Sequence, residues 1–371
     1  MKHLKSGPMA LFTAMAAALA VAACGGGGTA DTTPNGANAK ITSVRVFGDS
    51  LADSGTFGIK FTVQGADSLI YPERVALTYG QTLCNFYVFT GTTFAANTKA
   101  GCTNFAIGGG VINMTSSAVD PRGIPVQLAT AGATAYGAGE LALIDGGGND
   151  AANLVGAFLA AATDGGASYA GLLGTLLTPS QVGAAAAGGQ AGLAAAGGTY
   201  MVALADKFYA SIKTNVLDKG AQQVVVINIP GILVTPRFQF VLKSIEASQG
   251  VATRQQLEGV FKGWVEAFNA QIAAKFAGEA RVAVIDIYTN LNDEVANPSQ
   301  YALTNVTIPA CPVKGVGSDG LPSYDFATCT ASTAAAGYQS YLFSDSFHPT
   351  PYGHQLASQL IARTLAQKGW L

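Results

Sequence analysis

Ser43-Val-Arg-Val-Phe47, followed at once by Gly48-Asp49-Ser50-Leu51-Ala52-Asp53-Ser54-Gly55, is the stretch from which the rest of the chain can be read. A short, mostly apolar run that stops at a glycine turn has the form of a strand buried on both faces. Four more runs repeat it. Thr103–Ile107 precedes Gly108–Gly110, and Leu141–Asp145 precedes Gly146–Gly148. Gln223–Ile229 precedes Pro230-Gly231, and Arg281–Ile287 precedes a polar loop. Helical signals lie between and after them. Leu257, Val260, Phe261, Trp264, Phe268, Ile272 and Phe276 fall on one helical stripe. Near the C-terminus, Thr350-Pro351 reads as an N-cap with proline at the first helical position, and Leu356, Leu360, Ile361 and Leu365 supply the buried face. Strands alternating with helices predict a three-layer α/β/α fold around a mainly parallel five-stranded sheet with right-handed crossovers.

Composition supports this and removes other classes. Of 371 residues, 49% are apolar and only 11% charged, which excludes a disordered, highly charged chain. The 46 glycines show no three-residue period, so the chain is not collagen-like. A net charge of −2 leaves nothing to neutralise phosphates, which argues against a nucleic-acid partner. No second domain boundary is visible, so residues 41–371 are read as one domain. Within it, about 151–205 is dominated by Ala and Gly. It reads either as a helical insertion packed on the sheet or as a mobile lid over an acyl pocket.

Residues 1–23 read as a signal peptide. Lys2 and Lys5 give a basic start, and the apolar run from Met9 is too short to span a bilayer. Val21-Ala22-Ala23-Cys24 looks like a bacterial lipobox, in which Cys24 is lipidated, and residues 24–40 then form a flexible tether. The expected location is the cell envelope (outer membrane or periplasm) or the exterior, with membrane contact only through that anchor. The remaining cysteines, Cys84, Cys102, Cys311 and Cys329, are even in number, as a disulfide framework requires. Three pairings exist. The local one, Cys84–Cys102 with Cys311–Cys329, is expected because each pair brackets a Gly/Thr/Pro-rich loop. No Cys-x-x-Cys spacing favours a metal.

In such sheets, reactive groups gather past the carboxyl ends of the strands. Ser50, at a strand-to-turn junction, can project its hydroxyl clear of the backbone. In Gly146-Gly147-Gly148-Asn149-Asp150, triple glycine permits close approach of a ligand and Asn149 offers an amide donor. A phosphate loop is not supported, because its Lys-Ser/Thr is absent. In Asp345-Ser346-Phe347-His348-Pro349, a histidine follows a carboxylate by three residues. That spacing suits a general base whose Nδ1–H is held by its neighbour. His354, in the following helix, is read as a surface or supporting residue.

Together these pieces resemble the SGNH hydrolases, the GDSL-type esterases and lipases, over nearly the whole exported chain. Gly48–Leu51 matches the Gly-Asp-Ser-Leu block with an Ala-Asp-Ser-Gly-like tail. Asn104–Gly109 matches Asn-x-Ala-x-Gly-Gly, Gly147–Asp150 matches Gly-x-Asn-Asp, and Asp345–His348 matches Asp-x-x-His. The family's fourth block is not evident here. The resemblance implies a flavodoxin-like sheet and Ser50 as nucleophile, with His348 as base and Asp345 orienting it. It also implies an oxyanion hole of the Ser50 and Gly109 N–H groups and the Asn149 side chain.

The expected activity is hydrolysis of small-molecule or lipid carboxylic esters through an acyl-enzyme, with no metal or organic cofactor. Carbohydrate O-acetylesterase and phospholipase or acyltransferase are the enzymatic alternatives. A non-catalytic surface lipoprotein that binds glycan or lipid is the alternative outside enzymes. Tyr71, Tyr301, Tyr338 and Tyr341 would favour sugars if they formed a cleft, but packing is the preferred reading for them.

Overall fold

In a computed structural model, which describes residues 39–371, the Ser43–Phe47 run is β1, an edge strand of a four-stranded parallel sheet. With β4 (Glu140–Ile144), β5 (Gln223–Ile227) and β6 (Val282–Ile285) it forms the order β1-β4-β5-β6. Val46 lies opposite Leu143, Ile144 opposite Val226, and Val226 opposite Val284. Two antiparallel hairpins stand apart from this sheet: β2 (Tyr87–Phe89) with β3 (Phe94–Ala96), and β7 (Gly315–Val316) with β8 (Pro322–Ser323). The signal-like segment, Cys24 and nearly all of the 24–40 stretch lie outside the described residues.

The strand composition explains the layers. Side chains alternate across a strand, so a strand with no polar face must be covered twice. Ala142 and Ile144 enter one core and Leu141 and Leu143 the other. The first core is closed by α2 (Ile124–Gly132), α3 (Gly148–Asp164), α6 (Gly189–Ile212) and α8 (Val251–Lys275). The second is closed by α1 (Tyr71–Thr78) and α10 (Pro351–Gln367). The α8 stripe is buried at Leu257, Phe261, Trp264, Phe268 and Ile272. Helix α10 starts as its sequence dictates, with the Thr350 hydroxyl accepting the Gly353 N–H and Pro351 at the first position.

The sheet has four strands where five were expected, because Thr103–Ile107 is not a regular strand. It runs beside β1, with Val46 N–H donating to Thr103 O (3.0 Å) and Phe105 N–H to Val46 O (2.8 Å). Asn104 makes only isolated bridges, to Val46 and Asn85. Its side chain donates to Ala52 O and Ser54 Oγ instead, tying the segment to the Ser50 loop. A polar residue that serves the loops interrupts the ladder.

The Ala/Gly-rich stretch is mostly helical, as α3, α4 (Ala167–Leu173), α5 (Pro179–Ala187) and α6 joined by short turns. Phe158, Tyr169 and Tyr200 of this stretch join the first core. The Tyr169 ring stacks on Trp264, and the Trp264 indole N–H donates to Ala194 O. Gly197 lets that indole approach, since a Cβ there would lie 2.2 Å from the ring. Helices α7 (Pro236–Gln249) and α9 (Ile287–Ala296) complete the chain.

Candidate active site

Three loops from the carboxyl ends of β1 and β4 and from just before α10 meet at one edge of the sheet. The Ser50 loop is fixed from below. Gly48 has φ +153°, and a Cβ there would lie 1.5 Å from Asp145 Oδ1, so only glycine fits. The buried Gln127 amide grips the Gly48 peptide from both sides, accepting its N–H (2.9 Å) and donating to its carbonyl (3.0 Å). The Asp49 N–H donates to Asp145 Oδ1, and Leu51 N–H returns to Asp49 Oδ1. Between these anchors Ser50 is held with only 4% of its surface exposed.

The Ser50 hydroxyl lies 2.7 Å from His348 Nε2, and His348 Nδ1 lies 2.9 Å from Asp345 Oδ2. The other Asp345 oxygen accepts the N–H groups of Phe347 (2.7 Å) and His348 (2.6 Å). Burial would raise the Asp345 carboxyl, but His348 and these N–H groups hold it below its ordinary range. Burial likewise pushes His348 down, and the Asp345 carboxylate outweighs it, leaving the imidazole raised above 6.5. The structure thus joins the Asp345–His348 pair, which its three-residue spacing predicts, to Ser50, which lies 298 residues before His348.

The glycine loop and Asn149 adjoin them. Asn149, in the first turn of α3, donates from Nδ2 to Gly110 O (2.9 Å) and points weakly at Asp49 Oδ2 (3.4 Å). Gly110 packs on the Asp49 backbone, where a Cβ would lie 3.1 Å from Asp49 Cα. Of the three glycine amides, Gly108 N–H donates to Asp53 Oδ2 and Gly110 N–H to Ile107 O. Among the described residues the Gly109 N–H meets no acceptor, nor does that of Ser50. Gly109 is exposed and has φ +75°. The Ser50 and Gly109 N–H groups thus remain without an acceptor among the described residues, while the Asn149 amide is held on Gly110 O.

Sequence reasoning missed the buried layer beneath. Asp49, Asp145 and Asp150 are each buried. Burial pushes Asp150 up to about 6, although it accepts the Ile112 and Asn113 N–H groups. Asp49 and Asp145 are also raised, by burial first, with the Asp145 charge further opposing ionisation of Asp49. The Tyr71 hydroxyl donates to Asp145 (2.7 Å). An aspartate ending the apolar Leu141–Ile144 run and a glutamine inside the apolar α2 were the available signals. Both are polar residues where burial leaves no room for an idle one.

His354 is not at the surface but 1% exposed. Its Nδ1 accepts the Tyr71 N–H (3.3 Å), and its Nε2 has no partner among the described residues. Burial drives its pKa down to about 3. It lines a mostly apolar cavity with Leu51, Ile227, Leu291, Phe347 and Ala357, and neither Ser50 nor His348 belongs to that cavity. The four tyrosines form no common cleft. Tyr71 joins the second core, Tyr338 and Tyr341 pack on the Cys311–Cys329 cluster, and Tyr301 packs near Leu303. The disulfides are Cys84–Cys102 and Cys311–Cys329, each between residues 18 apart.

Comparison with known proteins adds the following. A family model described as GDSL-like Lipase/Acylhydrolase matches residues 44–361. The crystal structure of phospholipase A1 from Streptomyces albidoflavus NA297 is 15% identical, covering 87% of this chain and 98% of that one with a TM-score of 0.42. A search of curated proteins gave no match.

Proposed function

The chain belongs to the GDSL-like lipase/acylhydrolase family, and from that membership we propose a serine esterase in which Ser50, His348 and Asp345 form the catalytic triad. The observation that carries this reading is the unbroken relay from Ser50 Oγ through His348 (2.7 Å) to Asp345 (2.9 Å).

The chemistry follows from those contacts. A serine hydroxyl is a weak nucleophile until a base takes its proton. His348 Nε2 accepts that proton as Oγ bonds to the ester carbonyl carbon. The Nδ1–H of the resulting imidazolium stays on the Asp345 carboxylate. Negative charge collects on the former carbonyl oxygen. In this reading the Ser50 and Gly109 N–H groups and the Asn149 amide receive it, each worth about 3 kcal/mol. The imidazolium then protonates the leaving oxygen, the C–O bond breaks, and the alcohol departs. Water loses a proton to His348, attacks the acyl-Ser50 carbon, and releases the acid as Oγ regains its proton.

The substrate in this reading is an apolar carboxylic ester rather than a sugar acetate, because the tyrosines that would line a sugar cleft are dispersed. The two disulfides fit an exported protein, and no helix among the described residues is long and apolar enough to cross a membrane. The reading extends to anchoring through a lipidated Cys24, for which mass spectrometry of the mature chain must find an acylated Cys24. The activity is tested with p-nitrophenyl acetate and octanoate on the wild type and Ser50→Ala. Hydrolysis that disappears in the variant is expected; equal rates refute the proposal.

A further inference from the structure

His348 is enclosed by phenyl rings that belong to different parts of the chain. Phe61 lies 5.3 Å from the imidazole, tilted by 32°, and Phe326 meets it edge-on at 5.5 Å. Phe61 also covers the glycine loop: a Cβ on Gly108 would lie 2.2 Å from Phe61 Cζ and 3.1 Å from Phe57 Cε2. Phe61 therefore bridges the base and the loop that carries the Gly109 N–H. An acyl carbon on Ser50 Oγ would sit between those two groups.

From Phe61 the rings continue outward. Phe57 stands edge-on to Phe61 at 6.1 Å, and Phe89 and Phe94 follow at 5.3 and 5.8 Å from Phe57. Phe89 and Phe94 face each other across the β2–β3 hairpin, at 5.2 Å. Phe57, Phe61, Phe89 and Phe94 are all only half-buried. Four adjoining phenyl rings that keep apolar surface in water are costly unless something apolar covers them. Both disulfide loops support this surface. Cys84–Cys102 brackets the hairpin, and Cys311–Cys329 brackets Phe326, whose ring packs on Phe61 at 5.7 Å.

We propose that Phe57, Phe61, Phe89 and Phe94 form the wall that receives the apolar acyl chain of the ester, so that the enzyme prefers medium-chain over acetyl substrates. This rests on the serine-esterase reading above. The wall starts at the reacting groups and runs away from them, as a chain attached to Ser50 must. Its rings offer no hydrogen bond to a polar substituent, and rigid aromatic surface meets an alkyl chain with little loss of conformational freedom. The competing receptacle is the mostly apolar cavity that His354 lines. Filling that cavity with Ala357→Leu separates the two.

The test is the ratio of kcat/KM for p-nitrophenyl octanoate to that for p-nitrophenyl acetate. Phe57→Ala and Phe89→Ala are each expected to lower the ratio by about tenfold, the scale of losing one or two methylene contacts. Val119→Ser, at an exposed apolar position outside the wall, should leave it unchanged. Phe89 sits on the hairpin, so that variant serves if Phe57→Ala melts early. Ratios within about twofold of wild type in both phenylalanine variants would overturn the wall, as would a collapse of the ratio in Ala357→Leu alone. These outcomes differ from failure of the esterase reading, in which Ser50→Ala would match wild type on both esters.

Discussion

Protonation of His354 should be a measurable load on the fold in acid. Its ring is buried against Tyr71, Nδ1 already accepts a backbone N–H, and Nε2 is buried with no partner among the described residues. Adding a proton would place a cation there with no carboxylate bonded to it, and His348, Arg74 and Lys60 oppose it further. The folded pKa is about 3 against 6.5 for the free ring. As pH falls below 6.5 the unfolded chain binds a proton that the folded chain refuses, so stability present at neutral pH drains away until the folded pKa is reached. At about pH 4 the gap from 6.5 is roughly 2.5 units, and at 1.36 kcal/mol per unit the loss is about 3 kcal/mol. Asp150 and Glu294, raised by burial to about 6 and about 7, act with the opposite sign. Only a comparison with a variant therefore isolates the histidine. Urea unfolding of wild type and His354→Gln at about pH 7 and about pH 4 makes that comparison, since the glutamine carbonyl can still accept the Tyr71 N–H. The wild type should lose about 3 kcal/mol more than the variant between the two conditions. Parallel losses would show that the folded protein accommodates the charged ring, and the account of this site would fail.

Other consequences are as direct. Asn149 points weakly at Asp49, whose carboxyl is raised by burial and then by the Asp145 charge, so ionisation of Asp49 as pH rises would draw the Asn149 amide away and oppose the oxyanion. The pH–rate profile should rise through the His348 midpoint above 6.5 and fall on an alkaline limb, and Asp49→Asn should abolish the latter while moving the former down, since the Asp49 charge helps raise His348. Replacing both Cys84 and Cys102 by serine removes a crosslink between residues 18 apart and should cost about 3 kcal/mol in reversible unfolding. Gly197→Ala forces a methyl to within 2.2 Å of the Trp264 ring. It should destabilise by about 2 kcal/mol despite the roughly 1 kcal/mol that alanine gains in a helix, with a changed tryptophan fluorescence as the local marker.

The features legible in the sequence were those encoded locally. Short apolar runs ending at a turn or polar loop marked four sheet strands, and Thr350-Pro351 marked the start of α10, because period, caps and turns act over a few residues. Thr103–Ile107 misled because its composition is that of a strand, while its one polar residue, Asn104, is committed to the Ser50 loop across the fold. The same limit applies at the site. Ser50, Asn149 and His348 stood out as unusual residues at strand ends and turns. The buried supports, Gln127, Asp145 and Tyr71, did not, since a polar residue in an apolar segment announces burial but not its partner. For His354 only the surface alternative failed, for the complementary reason: one histidine in an amphipathic helix carries no record of which neighbour covers it.

The two covalent loops around the phenylalanines divide the molecule's dependence on oxidation unevenly. The relay of hydroxyl, imidazole and carboxylate contains no sulfur, whereas the aromatic surface beside it is held in shape by both cystines. A thiol reductant would then blunt discrimination between long and short esters before it silenced turnover, and material produced in a reducing cytosol would make a poor guide to the preferences of the native enzyme.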